Sequence, residues 1–461
     1  MNILHIKNIT SLFLIATTLL VFSACEKDYS FRGDSNAITL ATDTLSYDTL
    51  YTGTLAATGS LLVYNTSGED LTIDRIYLGK GSESAFKICV NGRNTNELTD
   101  IRLQRKDSLY VFLNVFPPKT DEPQPYLLED EIVVTHGTNR WQCVVMAYGQ
   151  NTIPLTGKIS SDMQLSDNMP YMVSGTCIVD SSATLTASPG TRILFSDNAR
   201  LDVYGALKMV GSRDKHVVVK SCNIDYYYGD IPGQWGPITF MPGSKESIIE
   251  YAEIANATYA VVADSTSQLT IRNTIICDAS RGAILAYGAK LDVANTLLYN
   301  CGGALIAAYG GETSVTHSTL SNYFRWNARK QASVYLSAAA QYPELKQFTL
   351  TNSIVVGNAA NELDLASGDA SNILISNCLI NLGKKFVTDG DARFVDLINE
   401  NDASFIDRET FDFHLDSASV AIDRGDKKYA ATSPLDFDGN SRLDDANPDL
   451  GAFEYTIIQK K

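Results

Sequence analysis

The chain has too few basic side chains to balance its acidic ones. It contains 37 Lys and Arg residues against 53 Asp and Glu residues, which gives a formal net charge of −16. Proteins that bind nucleic acid need a basic footprint for the phosphates, so this composition argues against a nucleic-acid partner. The same charge disfavours a polyanionic polysaccharide unless a local basic patch exists.

The eight cysteines lack the spacing of a metal or redox motif. No pair stands at C-x-x-C distance, and seven remain once Cys25, treated below, is set aside. An odd number cannot pair completely, so we predict neither a cysteine metal site nor a full disulfide framework. Most of them are expected to serve as small buried hydrophobic side chains. The seven are Cys89, Cys143, Cys177, Cys222, Cys277, Cys301 and Cys378.

After its first 24 residues the chain also lacks any apolar run near the roughly 20 residues needed to cross a bilayer. The opening stretch has Lys7 and then an apolar run from Ile9 to Phe22, the length of a signal-peptide core. Its end, Leu20 to Cys25 (LVFSAC), resembles a lipobox. The resemblance implies a signal peptide over residues 1–24 and lipidation of Cys25. An ordinary secretory signal with a chance cysteine is the alternative.

The residues after Cys25 fit a tether. Glu26-Lys27-Asp28 resembles the signal that sends some Bacteroidota-type lipoproteins to the cell surface, and residues 25–43 are polar. A polar segment of this kind holds a folded body away from the membrane. We therefore expect an outer-membrane protein that is anchored by lipid and faces the cell exterior.

Residues 44–155 show short alternating segments separated by turn residues. Examples are 61–65, 71–78, 109–115 and 142–147. A period of two at this spacing predicts a β-sandwich of about 100 residues. The segments 64–73 and 107–118 resemble the immunoglobulin-like modules that precede repeat domains in bacterial surface proteins. The resemblance implies a spacer or an interaction domain.

A 22-residue repeat dominates the region 165–390. Tyr251, Asn273, Asn295 and His317 occupy the same place in a short strand-turn motif and are each 22 residues apart. The motif returns at Asn352 and Asn377, after steps of 35 and 25. This period, with short apolar strands, predicts a parallel β-helix whose coils stack in columns. Asn accepts unusual backbone angles, so the column is expected to lie at a bend, and His317 is interpreted as one of its residues.

Three stretches of this region resemble a known fold. Residues 184–195, 201–207 and 235–240 resemble the first coils of many bacterial right-handed parallel β-helix proteins. The resemblance implies an all-β chain whose main domain is of the pectate-lyase-like type. Such helices host lyases, hydrolases, epimerases and adhesins, so the fold does not select a function.

The C-terminal part resembles a surface-protein signature. Residues 413–425, 436–442 and 449–455 look like the choice-of-anchor Q signature, found in bacterial surface proteins that contain β-helices. The resemblance implies a C-terminal cap over residues 391–456. In it we expect Arg442 to pair with a carboxylate, and the whole segment to cover the last coil and its open sheet end.

Two insertions interrupt the repeat, at 225–235 and between Leu320 and Phe348. Insertions in a solenoid become loops on one side, often the binding side. Both carry aromatic residues, and the second also carries cations, which would suit stacking on sugar rings and hydrogen bonding to their substituents. Loops that simply pack on the helix would use the same residues. The candidate ligand-binding residues are Tyr226, Tyr227, Tyr228, Trp235, Tyr323, Arg325, Trp326 and Arg329.

A second candidate site is the acidic run near the C-terminus. Alternating carboxylates suit a hard cation such as calcium, although Gly439 stands at position four of the run and an EF-hand requires its glycine at position six. No other cofactor is predicted. The candidate ligands are Asp436, Asp438, Asn440 and Asp444.

No catalytic residue emerges from the linear pattern. The repeated strands carry isolated acids such as Glu250, Glu253 and Asp292 rather than the carboxylate pair that a glycosidase needs. The sequence therefore favours a lipid-anchored surface protein that binds a glycan or a protein through its β-helix loops, without catalysis. One alternative is a polysaccharide lyase or glycoside hydrolase whose site residues come from different coils. The other is a structural or adhesive surface element.

Overall fold

The computed structural model describes residues 37–53, 58–223, 229–338, 343–368, 371–384, 386–444 and 446–456. They fall into two compact units. The N-terminal unit contains residues 37–47, 58–116 and 127–147, and the solenoid unit contains the other described residues. The signal peptide, Cys25 and most of the predicted tether lie outside the described residues.

The N-terminal unit consists of two five-stranded sheets, ordered β1-β3-β8-β5-β6 and β2-β10-β9-β4-β7. Pairings such as β3 with β8 and β4 with β9 are antiparallel, and buried and exposed residues alternate along the strands. The first strand begins at Ile38, inside the segment predicted as a tether. The immunoglobulin-like assignment stays a prediction. The elements are β1 (Ile38–Leu40), β2 (Thr44–Tyr51), β3 (Thr58–Asn65), β4 (Leu71–Leu78), a 3-10 turn (Gly81–Glu83), β5 (Phe86–Val90), β6 (Arg93–Thr95), β7 (Glu97–Leu103), β8 (Ser108–Val115), β9 (Tyr126–His136) and β10 (Asn139–Gln150).

The solenoid unit is built on a 26-stranded sheet in which the strands of successive coils pair in parallel. It begins at Ile153, earlier than the predicted 165, with β11 (Ile153–Ile159) and β13 (Tyr171–Val179), and ends with β36 (Phe394–Ile398). From β14 to β34 each coil contributes three strands, one to each of three faces, and β35 then continues from face 1 onto face 2. The predicted parallel β-helix architecture is confirmed at this level.

The strands of face 1 are β12 (Met163–Leu165), β14 (Thr184–Ala187), β17 (Ala206–Val210), β20 (Ser247–Glu250), β23 (Gln268–Arg272), β26 (Lys290–Ala294), β29 (Gly311–Thr316), β32 (Leu345–Thr351) and β35 (Ile373–Ile380). Those of face 2 are β15 (Arg192–Phe195), β18 (Val217–Ser221), β21 (Ala252–Ala255), β24 (Ile275–Cys277), β27 (Leu297–Tyr299), β30 (Thr319–Asn322) and β33 (Ile354–Gly357). Those of face 3 are β16 (Arg200–Val203), β19 (Ile238–Phe240), β22 (Tyr259–Ala263), β25 (Gly282–Tyr287), β28 (Ile306–Tyr309), β31 (Val334–Ala338) and β34 (Leu363–Gly368).

The core of the solenoid unit is one continuous stack of inward-facing side chains. Ile249, Ile271 and Val293 pair in register on face 1 and are fully buried. Val261, Ile284 and Ile306 do the same on face 3. Because successive residues of a strand point to opposite sides, the inward positions are apolar and the outward ones carry most of the polar groups. The seven described cysteines are free, and all except Cys89 are buried, as predicted.

Two bend columns connect the faces. The first bend column lies between faces 1 and 2, and the second lies between faces 2 and 3. Every residue of both columns has a left-handed backbone conformation, which Asn and Asp adopt more readily than other non-glycine residues. The first consists of Tyr251, Asn273, Asn295, His317, Asn352 and Asn377, and the second of Asn256, Asp278 and Asn300.

His317 lies in the first bend column, where its spacing places it. Its ring is fully buried, and Asn352 Nδ2 lies 3.0 Å from His317 Nε2. Burial holds the pKa of this imidazole well below its usual value, so the ring is neutral. The arrangement supports a structural role for His317.

The C-terminal segment, residues 405–456, packs along face 2 of several coils, from Leu297 to Leu379 of the last coil. It contains β37 (Phe405–Asp407), β38 (Asp412–Leu415) and the short helix α1 (Lys427–Ala430). The Gly451 amide donates to the Asn352 carbonyl at 2.9 Å. The segment thus covers outward side chains of several coils, the last one included, and its assignment as a cap stays a prediction. Outward apolar side chains of face 2 explain the placement, because they require a cover: Leu297 packs with Phe413, Phe437, Ala452 and Phe453.

Arg442 connects this segment to the first bend column. Its guanidinium is fully buried, bonds Glu454 Oε1 at 2.5 Å and donates to Asn295 Oδ1 at 2.8 Å. The same guanidinium donates to the carbonyls of Gly451 and Ala452. The predicted pairing of Arg442 with a carboxylate is thus present, with Glu454 as its partner.

We expect Arg442→Met to destabilise the solenoid unit by about 3–5 kcal/mol, because it leaves the buried Glu454 without its charge partner. Denaturant unfolding measures the change. Arg272→Met is the matched control, since Arg272 forms an exposed pair with Asp292 and should cost about 1 kcal/mol or less. Equal losses in the two variants would contradict the role given to Arg442.

His414 gives the C-terminal segment a pH dependence. Its ring bonds Asp438 at 2.8 Å and Asp412 at 2.5 Å, and stacks on Phe453. The hydrogen bond to Asp438, followed by that to Asp412, raises the pKa of His414 to about 9. Its folded-state pKa lies above the unfolded value of about 6.5, so its stabilisation is complete below pH 6.5 and disappears as pH rises through about 9.

The unfolding midpoint is therefore expected to fall between pH 6.5 and about pH 9. In the variant His414→Asn this fall of the unfolding midpoint should be missing, because the Asn amide does not titrate. Denaturant unfolding across pH 6–10 tests the prediction. A variant that keeps the same decline would show that another group causes it.

Candidate functional site

An open cleft of about 480 Å³ lies on face 2, beside the second bend column. Its floor follows outward positions of stacked strands, where Ala255 pairs with Cys277 and Cys277 pairs with Tyr299. The side chains on its walls come from the second bend column, the loop before Trp235, the loop after β30 and the C-terminal segment. The lining residues are Lys220, Gly229, Asp230, Glu253, Ala255, Asn256, Cys277, Asp278, Tyr299, Asn300, Arg325, Trp326 and Phe411.

Asp278 is a half-buried acid on the wall of the cleft. It follows β24 in the second bend column, and Asn300 Nδ2 donates to Asp278 Oδ1 at 2.5 Å. Burial raises the pKa of Asp278 to about 6; the charge of Asp230 also raises it, while Arg325 acts in the opposite direction. A carboxyl group with such a pKa is partly protonated near neutral pH and can give or take a proton.

Two further acids face the same space. Glu253 projects from β21 and Asp230 from the loop before Trp235. The negative charges of Asp278 and Glu253 contribute to the high pKa of the buried Cys277 thiol, after desolvation. That thiol is therefore protonated and unreactive, because the thiolate is the nucleophilic form of cysteine.

The rim of the cleft is aromatic and cationic. Trp326 is 50% exposed, although tryptophan side chains are usually covered. The Arg325 guanidinium lies 4.0 Å from the centre of the Phe411 ring, and Phe411 in turn packs on Tyr299 with 4.7 Å between ring centres. The Arg325 amide donates to Asn300 Oδ1 at 3.1 Å, which attaches this loop to the second bend column. An aromatic face next to charged groups suits a sugar ring with its hydroxyls.

Some of the predicted ligand residues meet in this cleft and others do not. Arg325 and Trp326 line it. Tyr323 lines a smaller neighbouring cavity, where its hydroxyl donates to the Asn401 carbonyl and its ring lies under Arg408. Tyr226, Tyr227 and Tyr228 lie outside the described residues.

Trp235 does not face a ligand. Its indole is fully buried, stacks on Phe195 with 4.1 Å between ring centres, and donates from Nε1 to the Ala255 carbonyl at 2.8 Å. The stack fills the core where the 225–235 insertion rejoins the coil. Its prediction as a ligand contact is corrected by this burial.

Arg329 is corrected for a similar reason. Its side chain and that of Glu362 are both fully buried and form an ion pair. Glu362 also accepts from the amide and hydroxyl of Ser333, and Arg329 Nη2 donates to the Asn322 carbonyl at 2.9 Å. The pair therefore holds the second insertion against the coils instead of presenting a cation to solvent.

The predicted calcium ligands already hold protein partners. Asp436 accepts from the amide and the side chain of Asn440 and from the Glu454 amide, and Asp438 bonds His414. Asp444 accepts from the Ser441 hydroxyl. Among the residues described by the structure, no group of three or more His, Cys, Asp or Glu side chains is placed to hold a metal ion. The arrangement gives the calcium prediction no support.

Sequence reasoning missed Asp230, Glu253 and Asp278 as a group. The signal that could have found Asp278 is its place in the 22-residue repeat, midway between Asn256 and Asn300. Glu253 carried no such signal, because its relation to Asp278 depends on how the chain turns at the second bend column. Within the described residues, no helix has the length and apolar content of a membrane span.

Comparison with family models and with curated sequences gives no match. Among solved structures, the catalytic unit of a thermostable GH87 alpha-1,3-glucanase from Streptomyces thermodiastaticus aligns over 79% of this chain and 83% of its own, at 11% identity and a TM-score of 0.28. A family 123 glycoside hydrolase from Clostridium perfringens aligns over 26% of this chain and 30% of its own, at 7% identity and a TM-score of 0.18.

A protein of unknown function from Porphyromonas gingivalis W83 aligns over 32% of this chain and 60% of its own, at 16% identity and a TM-score of 0.17. The chain thus covers less than two thirds of the length of this protein and of the family 123 hydrolase. Likenesses of this degree assign no activity to the chain, so its function is argued from the cleft itself.

Proposed function

We propose that this chain is a lipid-anchored bacterial surface protein that binds a neutral glycan in the cleft on face 2. The half-exposed indole of Trp326, in a cleft that Tyr299 and Phe411 also line, is the observation that carries the proposal. Aromatic faces cover the apolar side of a sugar ring, and neighbouring polar groups bond its hydroxyls. In this reading the N-terminal unit is an immunoglobulin-like spacer.

The charges of the cleft favour a neutral ligand over an acidic one. Three acidic side chains, Asp230, Glu253 and Asp278, face two basic ones, Lys220 and Arg325. Arg325 is also partly neutralised, because its guanidinium donates to the Glu409 carbonyl and lies 3.9 Å from the Glu409 carboxylate. A uronic acid would therefore meet repulsion in the cleft, in addition to that of the whole acidic chain.

Membrane attachment through Cys25 rests on the lipobox-like segment alone. Cys25→Ser should move the chain from the membrane fraction to the soluble fraction of the producing cells, because it removes the acylated thiol. Cys89→Ser is the control and should stay with the membranes. Recovery of the unaltered chain in the soluble fraction would show that the first 24 residues are an ordinary secretory signal.

Glycan binding is tested with the purified full chain in detergent on an array of neutral and acidic polysaccharides. We expect binding to neutral polymers, and Trp326→Ala should weaken it about tenfold, which corresponds to a loss of about 1.4 kcal/mol. Tyr110→Ala is the matched control: Tyr110 is 51% exposed but belongs to the N-terminal unit. Binding that is unchanged by Trp326→Ala would remove the cleft as the site, and no binding at all would remove the glycan proposal.

A further inference from the structure

Asp278 occupies a bend position at which the neighbouring coils have an asparagine. One coil before it and one coil after it, the same place in the second bend column is taken by Asn256 and Asn300, with the same left-handed backbone. Asn satisfies such a bend without bringing a charge into a half-buried site. Burying a carboxyl group costs free energy that Asn avoids. Asn and Asp both fit the bend, so the bend by itself does not require the carboxyl group.

The surroundings of Asp278 tune it as a proton donor. Asn300 Nδ2 donates to the carboxyl group and, like the neighbouring Cys277 thiol and the charge of Arg325, lowers its pKa, whereas the charge of Asp230 raises it. Burial is the largest influence and brings the pKa to about 6. A catalytic acid works best when its pKa lies close to the working pH, so a pKa of about 6 suits proton donation in slightly acidic to neutral surroundings.

A second acid stands on the other side of the cleft floor. Glu253 lies three residues before Asn256, which occupies the bend one coil below Asp278. Three residues of strand and one coil separate the two backbones by roughly 10 Å. Both side chains line the same cleft, with Cys277 and Tyr299 on the floor. Backbones this far apart can carry two carboxyl groups that flank a sugar ring and a water molecule, as inverting glycosidases require.

We propose that the cleft hydrolyses a glycosidic bond of a neutral glycan, with Asp278 as the general acid and Glu253 as the general base. This inference rests on the proposed glycan binding and names what happens to the bound ligand. It differs from the sequence-based expectation of a non-catalytic protein because that expectation found no paired acids. The pair arises only when two coils and a bend are brought together.

The second reactant is a water molecule. The Asp278 carboxyl proton passes to the glycosidic oxygen as its bond to the anomeric carbon breaks. The water oxygen forms a new bond to that carbon, and the proton it loses passes to the Glu253 carboxylate. Exchange with solvent then returns both side chains to their starting forms. Lyase chemistry fits less well, because it requires a uronic acid and a cation to neutralise its carboxylate.

The test follows new reducing ends with the full chain on neutral glucans, mannan and xylan. We expect at least one of these polymers to be cleaved, with a rate that falls above about pH 6, where Asp278 loses its proton. Asp278→Asn should lower the rate by about 10²–10⁴-fold while polymer binding remains. The variant should fold normally, since Asn already occupies this bend in the neighbouring coils. Asp292→Asn, an exposed carboxylate on face 1, should leave the rate unchanged.

The outcomes separate this inference from the binding proposal. A polymer that binds through Trp326 but yields no new ends would overturn hydrolysis and leave glycan binding in place. If the Asp278→Asn variant produces reducing ends as fast as the unaltered chain, other residues carry out the hydrolysis. That result would overturn the role of Asp278. If Glu253→Gln loses the hydrolysis rate but still binds the polymer, the role of Glu253 as general base is supported. Full activity of that variant would overturn this role.

Discussion

The structure depends on the parallel register between successive coils. Strands of successive coils in the solenoid unit pair with each other, and from β20 to β30 the paired residues are 22 or 23 positions apart in the sequence. Backbone amides and carbonyls must be paired when they are buried, so the register cannot slip without a large loss. A shift by one residue would also turn every inward side chain outward. Columns of equivalent residues follow from this single constraint.

The parallel register also stacks the polar side chains of the two bend columns. Left-handed residues at the corners place short polar side chains one above another, and these use their remaining hydrogen-bonding groups sideways. In the first bend column, Asn295 and Asn352 bind the C-terminal segment through Arg442 and Asp426. In the second, Asn300 bonds Asp278 and receives the amide of Arg325. One column thus supports an attached segment, and the other forms the wall of the cleft.

The cleft also shows why the same residue types play opposite roles. Trp326 and Trp235 both belong to insertions, yet one is half exposed and the other fills the core against Phe195. Arg325 lies over Phe411 at the rim, whereas Arg329, four residues later, is buried with Glu362. Burial is decided by partners from distant parts of the chain. It also produces the weak acidity of Asp278, because a low-dielectric site disfavours its charged form.

The sequence by itself determined the features that repeat at short range. Alternating apolar residues and the 22-residue spacing of Asn273 and Asn295 were enough to predict an all-β solenoid, its core and a bend column that includes His317. These patterns are readable because each coil repeats the same local requirement. Tertiary structure alone decided that the C-terminal segment lies beside the coils, that Trp235 and Arg329 are internal, and that Asp230, Glu253 and Asp278 share a cleft. Those relations join residues whose distances depend on the turning of the chain in space, which no linear period records.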